Sequence, residues 1–196
     1  MSYEPVADGE LAAVVTYLEM LEPPVALDIS RPTLQLRCLA EPTTDQYRAL
    51  FRRVGSPWLW FSRLVMADAD LDAIIRDCGV ELFEVAAVEA VVGMLELDFR
   101  KPGECELAFI GLVPELAGQG HGKWLLAEAV DRAWRDGVQR VHVHTCSLDH
   151  PAALSAYRRT GFTPYKRAVE RFPDPRLSGI LPKDCAPQIP LLGTPA

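Results

Sequence analysis

The sequence predicts an α/β (α+β) domain with a mixed, mostly antiparallel twisted sheet that contains one parallel strand pair and is flanked by helices. Residues 81 to 99 carry two runs of strand-forming residues joined by a short turn near Glu89, as in an antiparallel hairpin. Residues 105 to 126 read as a strand, a glycine-rich turn and the start of a helix, and residues 140 to 146 return as a strand. Two strands connected by a helix in this way are normally parallel.

Length and charge limit the classes of function. The chain has 196 residues, 49% of them hydrophobic, which is enough for one substantial core. The formal net charge of −7 argues against nucleic acid as a main partner, because nucleic-acid phosphates are bound by clustered Lys and Arg. A basic substrate is slightly favoured.

Cysteine usage and hydropathy predict the compartment. The five cysteines are scattered, and no two form a Cys-x-x-Cys pair, as is usual for a protein of a reducing compartment. We find no signal-peptide pattern and no apolar run of membrane-spanning length. The expected location is therefore the cytoplasm, with no membrane partner. The oligomeric state stays open between a monomer and a homodimer.

Residues 10 to 21 place apolar side chains at helical spacing before two prolines, so we expect an amphipathic helix there. This helix would belong to an N-terminal helical extension, residues 1–30, of a single domain that spans residues 1–171. The further elements expected before the glycine turn are a strand at residues 34 to 39, a helix capped by Thr43 or Thr44 and ended by Gly55, and a short helix at residues 71 to 77.

The elements after residue 146 are a helix and a last strand. Asp149 or His150 is expected to cap the helix, and Gly161 is expected to end it. Residues 162 to 169 then return as a strand. Six of the sixteen prolines lie in the following stretch, residues 172–196, so we expect a Pro-rich C-terminal tail that is an extended arm or disordered.

The glycine turn fits either an anion site or a turn that binds nothing. Gly118, Gly120 and Gly122 alternate directly before a helix, whose first amides have no intrahelical acceptor. Glycine also lets a phosphate approach the backbone without meeting a Cβ. The spacing does not fit the mononucleotide loop, because Trp124 occupies the position of the hydroxyl residue, nor the dinucleotide fingerprint, because Leu125 occupies the position of its last glycine.

Two stretches together resemble the GNAT superfamily of acetyl-CoA-dependent N-acetyltransferases. Residues 117 to 122 fit the cofactor motif Arg/Gln-x-x-Gly-x-Gly/Ala, with Ala117 in place of the usual Arg or Gln. Further along, His150, Tyr157 and their neighbours fit the motif Asn-x-x-Ala-x-x-x-Tyr-x-x-x-Gly-Phe, with His150 in place of the usual Asn. The resemblance covers residues 80 to 170. It implies a GNAT-like sheet in which the parallel strands splay apart and acetyl-CoA enters the gap between them.

The resemblance also implies a reaction and its residues. An amine of a small molecule or peptide attacks the acetyl thioester directly, in a ternary complex. Tyr157 is the expected acid that protonates the leaving thiolate, and Glu106 is the candidate base that deprotonates the ammonium. The expected cofactor-binding residues are Ile110, Gly111, Leu112, Ala117, Gly118, Gln119, Gly120, His121, Gly122, His150 and Tyr157.

Other interpretations stay open. Glu106 and Tyr157 also fit as core residues, and the aromatic run at residues 57 to 61 fits either the wall of an acceptor pocket or the core. His142 and His144 share a strand face, but no third zinc ligand is evident, so we expect no metal. The chain also fits a catalytically silent acyl-CoA-binding sensor module, or an assembly protein that uses its N-terminal helix and tail for contacts.

Overall fold

The computed structural model describes residues 3–24, 33–88 and 90–193. These residues form a seven-stranded sheet with helices against both faces, which confirms the predicted fold class. Across the sheet the strands lie in the order β2-β3-β4-β5-β6-β1-β7. In chain order they are β1 (Glu10–Met20), β2 (Gln35–Cys38), β3 (Val80–Ala86), β4 (Val91–Asp98), β5 (Glu104–Leu112), β6 (Arg140–Cys146) and β7 (Thr163–Pro173). The predicted turn near Glu89 lies outside the described residues.

Five α-helices are found in the described ranges. They are α1 (Thr44–Gly55), α2 (Ser62–Val65), α3 (Asp68–Ile75), α4 (His121–Ala133) and α5 (Ala153–Thr160). The predicted cap of α1 is present, because the Gln46 amide donates to the Thr43 hydroxyl at 3.2 Å while the Thr43 amide donates to the Gln46 side chain at 2.9 Å. None of the helices described is long and apolar enough to cross a membrane.

The sheet separates two apolar cores. Leu125, Ala129 and other residues of α4 pack with β5 and β6 on one face, which we call the α4 face. On the opposite face, the α1 face, residues of α1 and α3 pack against β3 and β4. The alternation of side chains along each strand decides which core a residue joins. In β6, Val141 and Val143 join the core of the α4 face, so that His142 and His144 lie on the α1 face.

A short parallel contact between β5 and β6 opens into a gap. The two strands pair only at Glu104–Glu106, opposite residues 140–142. In the next stretch of β5, Ala108 is an additional residue opposite β4, because Leu107 pairs with Leu97 and Phe109 with Glu96. Such a bulge bends a strand. Beyond Glu106, β5 therefore leaves β6, and no further pairing between the two is found among the described residues.

The predicted N-terminal helix is wrong, because residues 10–20 form β1. This strand pairs with β6 on one side and with β7 on the other, so its backbone is satisfied by neighbours that are remote in sequence. An interior strand buries apolar side chains on both faces. Leu18 joins the core of the α4 face and Leu11 packs on the opposite side, and this double pattern has the spacing of an amphipathic helix. Residues 25–30 of the predicted extension lie outside the described residues.

The C-terminal tail packs onto the domain, which corrects the prediction of an extended or disordered arm. Leu181 and Ala186 are buried together with Leu59. The Gln188 side chain also donates to the Pro57 carbonyl at 2.8 Å. The tail therefore covers the loop between α1 and α2. Residues 194–196 of the tail lie outside the described part of the chain.

A buried arginine organises this tail. The Arg176 guanidinium pairs with Asp174 at 2.7 Å and donates to the carbonyls of Cys185, Ala186 and Ile189. Only 1% of Arg176 is exposed. The tail has no helix in its described part, as its prolines predict, and the arginine takes the place of a regular hydrogen-bond ladder.

Candidate active site

The glycine turn forms an open cradle of backbone amides at the N-terminus of α4. Gly118 and Gly120 have φ values of 75° and 80°, in the left-handed region that favours glycine. The amides of residues 118–120 have no acceptor among the described residues, and those of His121 and Gly122 begin the helix, where no intrahelical acceptor exists. A Cβ built at any of the three glycines meets nothing within 4 Å. This open, donor-rich space fits a diphosphate group.

Ala117 lies at the edge of the cradle without contributing a donor. Its amide donates to the Pro114 carbonyl at 2.9 Å, so the free amides begin at Gly118 and not at Ala117 as predicted. The Gln119 side chain donates to the Glu115 carbonyl at 3.1 Å and so ties the turn to the segment before it.

The backbone of β5 faces the gap at alternate residues. The Val113 amide donates to the Val92 carbonyl of β4 at 2.9 Å. Because successive backbone groups of a strand point to opposite sides, Ile110 and Leu112 present their amides and carbonyls to the gap, whereas those of Gly111 face β4. Of the three predicted pantetheine contacts on β5, two therefore have free backbone groups at the gap.

Glu106 and His144 meet across the narrow end of the gap. On the α1 face, His144 Nδ1 lies 3.2 Å from Glu106 Oε1. This hydrogen bond holds the pKa of the Glu106 carboxyl below its usual range, although burial opposes the shift. The same bond raises the pKa of the His144 imidazole, again against burial. A carboxylate with a lowered pKa is a weak base, so the pair favours His144 as the proton acceptor.

Trp60 and Asp149 meet across the wide end of the gap. The indole Nε1 of Trp60 donates to Asp149 Oδ1 at 3.0 Å, and the far edge of the same ring lies against Gly111 of β5. The other carboxylate oxygen accepts from the Thr145 hydroxyl and the Cys146 amide, both at 2.8 Å. Asp149 is thus not the cap of α5, whose first turn has no side-chain cap.

The two contacts frame an opening on the α1 face. We call the space between the Glu106–His144 contact and the Trp60–Asp149 hydrogen bond the window. The Trp60 ring packs on Phe51 with 5.7 Å between centroids, as the core alternative for the aromatic run predicts, and its indole N–H also frames one side of the window. The acceptor-pocket alternative stays a prediction. The sequence placed Glu106 at this site, but it did not pair Glu106 with His144.

Tyr157 lies on the α4 face. Its ring packs edge-on against Phe162 with centroids 5.8 Å apart, and the residue is 9% exposed. The hydroxyl has no hydrogen-bond partner among the described residues. Burial raises the pKa of the Tyr157 phenol, and the Asp149 charge adds to the shift, so the hydroxyl keeps its proton at neutral pH.

His150 turns back on its own loop. Its Nδ1 accepts a hydrogen bond from the Ala152 amide at 3.1 Å, and its ring meets Trp58 edge-on with centroids 5.1 Å apart. This placement joins the loop after β6 to the loop after α1.

The sequence did not predict a buried ion pair that lies behind the window. Glu96 of β4 is fully buried, accepts a hydrogen bond from the Tyr47 hydroxyl, and pairs with Arg63 at 2.6 Å. The Arg63 guanidinium also lies over the Phe109 ring, 5.3 Å from its centroid. These contacts fix α2 on the sheet. Nothing in the local spacing signals them, because the three charged or polar partners come from three separate elements.

In the part of the chain that the structure describes, histidine, cysteine and carboxylate side chains do not gather into a metal site. Within the described ranges, no group of three or more such residues is arranged to hold a metal ion. His142 instead lies 3.5 Å from Glu104, and burial lowers the pKa of its imidazole.

The chain is similar in sequence to known acetyltransferases. The sequence model of the Acetyltransferase (GNAT) family matches residues 46–162. The chain is also 41% identical over 70 residues to the N-alpha-acetyltransferase RimI of Mycobacterium tuberculosis. That match covers 36% of this chain and 42% of the relative, so it spans less than half the length of either protein.

Solved structures show the same fold. A GCN5-related N-acetyltransferase from Sphaerobacter thermophilus has a TM-score of 0.58 and 18% identity, over 85% of this chain and 52% of that one. An aminoglycoside acetyltransferase from an uncultured soil metagenomic sample, in complex with sisomicin, has a TM-score of 0.55 and 18% identity, over 70% of this chain and 93% of that one. At these identities the likeness concerns the fold alone.

Proposed function

Because the chain belongs to the GNAT family of acetyltransferases, we propose that it transfers an acetyl group from acetyl-CoA to a primary amine by direct attack in a ternary complex. The observation that carries the proposal is the gap between β5 and β6. It lies beside the amide cradle on the α4 face and opens on the α1 face at the window.

The cradle and the β5 edge hold the cosubstrate. The free amides of residues 118–122 bind the diphosphate, with the N-terminal dipole of α4 adding positive potential. Ile110 and Leu112 pair with the pantetheine arm as a neighbouring strand would, and their amides polarise the thioester carbonyl. When bound, acetyl-CoA supplies the activated acetyl group. Ala117 lacks the Arg or Gln side chain of the family motif, but this replacement removes no backbone donor from the cradle.

His144 takes the proton from the incoming ammonium. A neutral imidazole is the stronger base of the pair, and Glu106 fixes its orientation and stabilises the imidazolium that forms. This assignment revises the expectation that Glu106 is the base, since its lowered pKa makes the carboxylate a poor proton acceptor. Glu106 then acts as a positioning residue.

Tyr157 gives a proton to the departing thiolate. Its hydroxyl is free of partners among the described residues and stays protonated at neutral pH, since burial raises its pKa. The acid and the base thus lie on opposite faces of the sheet, with the gap between them.

The acceptor class is a cationic amine. Carboxylates surround the window, with Glu106 and Asp149 on its frame and Glu170 close enough to raise the pKa of His144. Their negative potential attracts an ammonium group. The name of the RimI relative specifies an α-amino nitrogen as the acceptor, and that of the structural relative specifies an aminoglycoside. Both carry the required amine.

A panel of amines tests the proposal. The purified protein is mixed with acetyl-CoA and one amine at a time, namely peptides with a free N-terminus, a lysine peptide with a blocked N-terminus, a polyamine and an aminoglycoside, and thiol release is followed. We expect release that depends on one class of amine and is absent with its N-acetylated form. Calorimetric binding of acetyl-CoA without release for any amine would favour the silent sensor module instead.

A further inference from the structure

We infer that Trp60 is the floor of the acyl pocket and restricts the acyl donor to short acyl groups such as acetyl. This inference rests on the proposed function, because it concerns the acyl end of the same cosubstrate. It assigns a selective role to a residue that comes from the loop between α1 and α2, outside both sequence motifs.

The indole ring crosses the gap from one strand to the other. Its Cζ3 and Cη2 atoms lie over Gly111, where a Cβ would come within 3.3 Å of Cη2. Its Nε1 reaches Asp149, directly after β6, at 3.0 Å. The ring therefore spans the wide end of the gap on the α1 face, opposite the face that carries the amide cradle.

The ring is fixed from behind. The Trp60 amide donates to the Gly55 carbonyl at 3.1 Å. Gly55 has no side chain, and a Cβ there would come within 2.5 Å of Trp60 Cβ. The ring also packs against Phe51 and Phe109, with centroids 5.7 and 5.3 Å away. A ring that is hydrogen-bonded at one end and packed on its back is unable to swing aside without losing these contacts.

This placement limits the length of the acyl group. When the β5 edge holds the thioester carbonyl, that carbonyl lies in the plane of the sheet. The acyl carbons beyond it then extend toward the α1 face, where the indole lies. A methyl group is the smallest such extension, and each further methylene has to enter the space that the ring fills. Packed interiors do not yield easily to added methylenes, so longer acyl groups are excluded.

Acyl-CoA selectivity of the wild type and two variants tests the inference. The ratio of kcat/KM for acetyl-CoA to that for butyryl-CoA is measured with one amine, and calorimetry gives the dissociation constants of both thioesters. We expect the wild type to prefer acetyl-CoA by about a hundredfold and Trp60→Leu to lower this ratio by about tenfold or more. Trp60→Phe retains more of the packing and should lower the ratio less, which covers the case that Trp60→Leu fails to fold.

The matched control is Trp58→Leu. Trp58 is on the same loop but contacts His150 and not β5, so its loss should leave the ratio unchanged. Equal ratios in the wild type, Trp60→Leu and Trp60→Phe would overturn the inference. If the wild type turned over with no amine, the proposed function would fail, and the dissociation constants alone would still decide the role of Trp60. Equal affinity of the wild type for acetyl-CoA and butyryl-CoA would then refute it.

Discussion

The two sides of the gap, which we assign to the cofactor and to the acceptor, are built in different ways. On the cofactor side, one continuous segment, residues 118–122, offers backbone amides to open space. On the acceptor side, the window is framed by four side chains, Trp60, Glu106, His144 and Asp149, which come from widely separated positions in the chain. The first construction depends on the absence of side chains, and the second depends on their identity.

The two constructions predict which substitutions affect cosubstrate affinity and which affect chemistry. Cosubstrate affinity should respond to any Cβ placed in the cradle and little to side chains at its edge. Chemistry and selectivity should respond to single side-chain atoms around the window and to the Tyr157 hydroxyl on the α4 face. The following predictions test this division, from the largest effect to the smallest.

The largest effect is expected for His144→Gln. Glutamine keeps a polar side chain of similar length but takes up no proton, so turnover should fall by about a hundredfold to ten-thousandfold while acetyl-CoA affinity is retained. The measurement is kcat/KM with the best amine, and His142→Gln is the matched control. His142 lies two residues away on the same face and contacts Glu104, so an equal loss in both variants would contradict the assignment of the base.

Tyr157→Phe should have the next largest effect. The ring and its packing against Phe162 stay, so the fold and the affinity for acetyl-CoA should change little. The chemical step should slow by roughly tenfold to a thousandfold, the scale of losing one positioned acid. Single-turnover thiol release is the appropriate measurement, because product release can hide this step in steady-state rates. An unchanged single-turnover rate would leave Tyr157 as a core residue.

Gly120→Val should weaken acetyl-CoA binding by about tenfold or more, because a branched side chain fills the space in front of the free amides. The variant also strains the backbone, since the φ of Gly120 is 80°. Gly137→Val is the matched control. Gly137 lies in the turn before β6, has a φ of 89°, and a Cβ built there meets nothing within 4 Å. If calorimetry gave equal acetyl-CoA affinities for the two folded variants, the cradle would not be part of the cofactor site.

The smallest effect is expected for Glu106→Gln, in the pH profile. The active form carries neutral His144, so the rate rises as the pH rises through the pKa of that imidazole. Glu106 raises this pKa by stabilising the imidazolium, so its replacement should lower the pKa and shift the acidic limb of kcat/KM toward lower pH. If Glu106 itself were the base, the limb would instead disappear from the profile.

The parts that the sequence predicts are the ones with local causes. The cap of α1, the strand at Arg140–Cys146 and the glycine turn each follow from neighbouring residues, and all lie within or beside the stretch that matches the family. The contact between Glu106 and His144 has no local signal, because it depends on the parallel register of two separate strands, in which Glu106 lies opposite His142. The Trp60–Asp149 hydrogen bond joins residues that are 89 positions apart.

The largest errors concern the two ends of the chain, outside the matched stretch. The residues of β1 carry apolar side chains on both faces of the strand. This pattern identifies an interior strand only when it is known that β6 and β7 lie on either side. The proline content of the tail correctly predicts that its described part has no helix. It does not predict that this part is ordered. The order comes from the buried Arg176, whose partners include carbonyls as far away as Ile189.

The position of β1 has a consequence for biosynthesis. Val15 pairs with Cys146 and with Ala168, so during synthesis β1 has to wait for more than a hundred further residues before either neighbour exists. Until then β1 is an apolar segment with two unpaired edges, the kind of segment that associates with other chains. Because such distant pairing is slow, completion of the sheet should limit the folding rate. Folding during translation should therefore begin with the hairpin of β3 and β4 and end when β1 enters between β6 and β7.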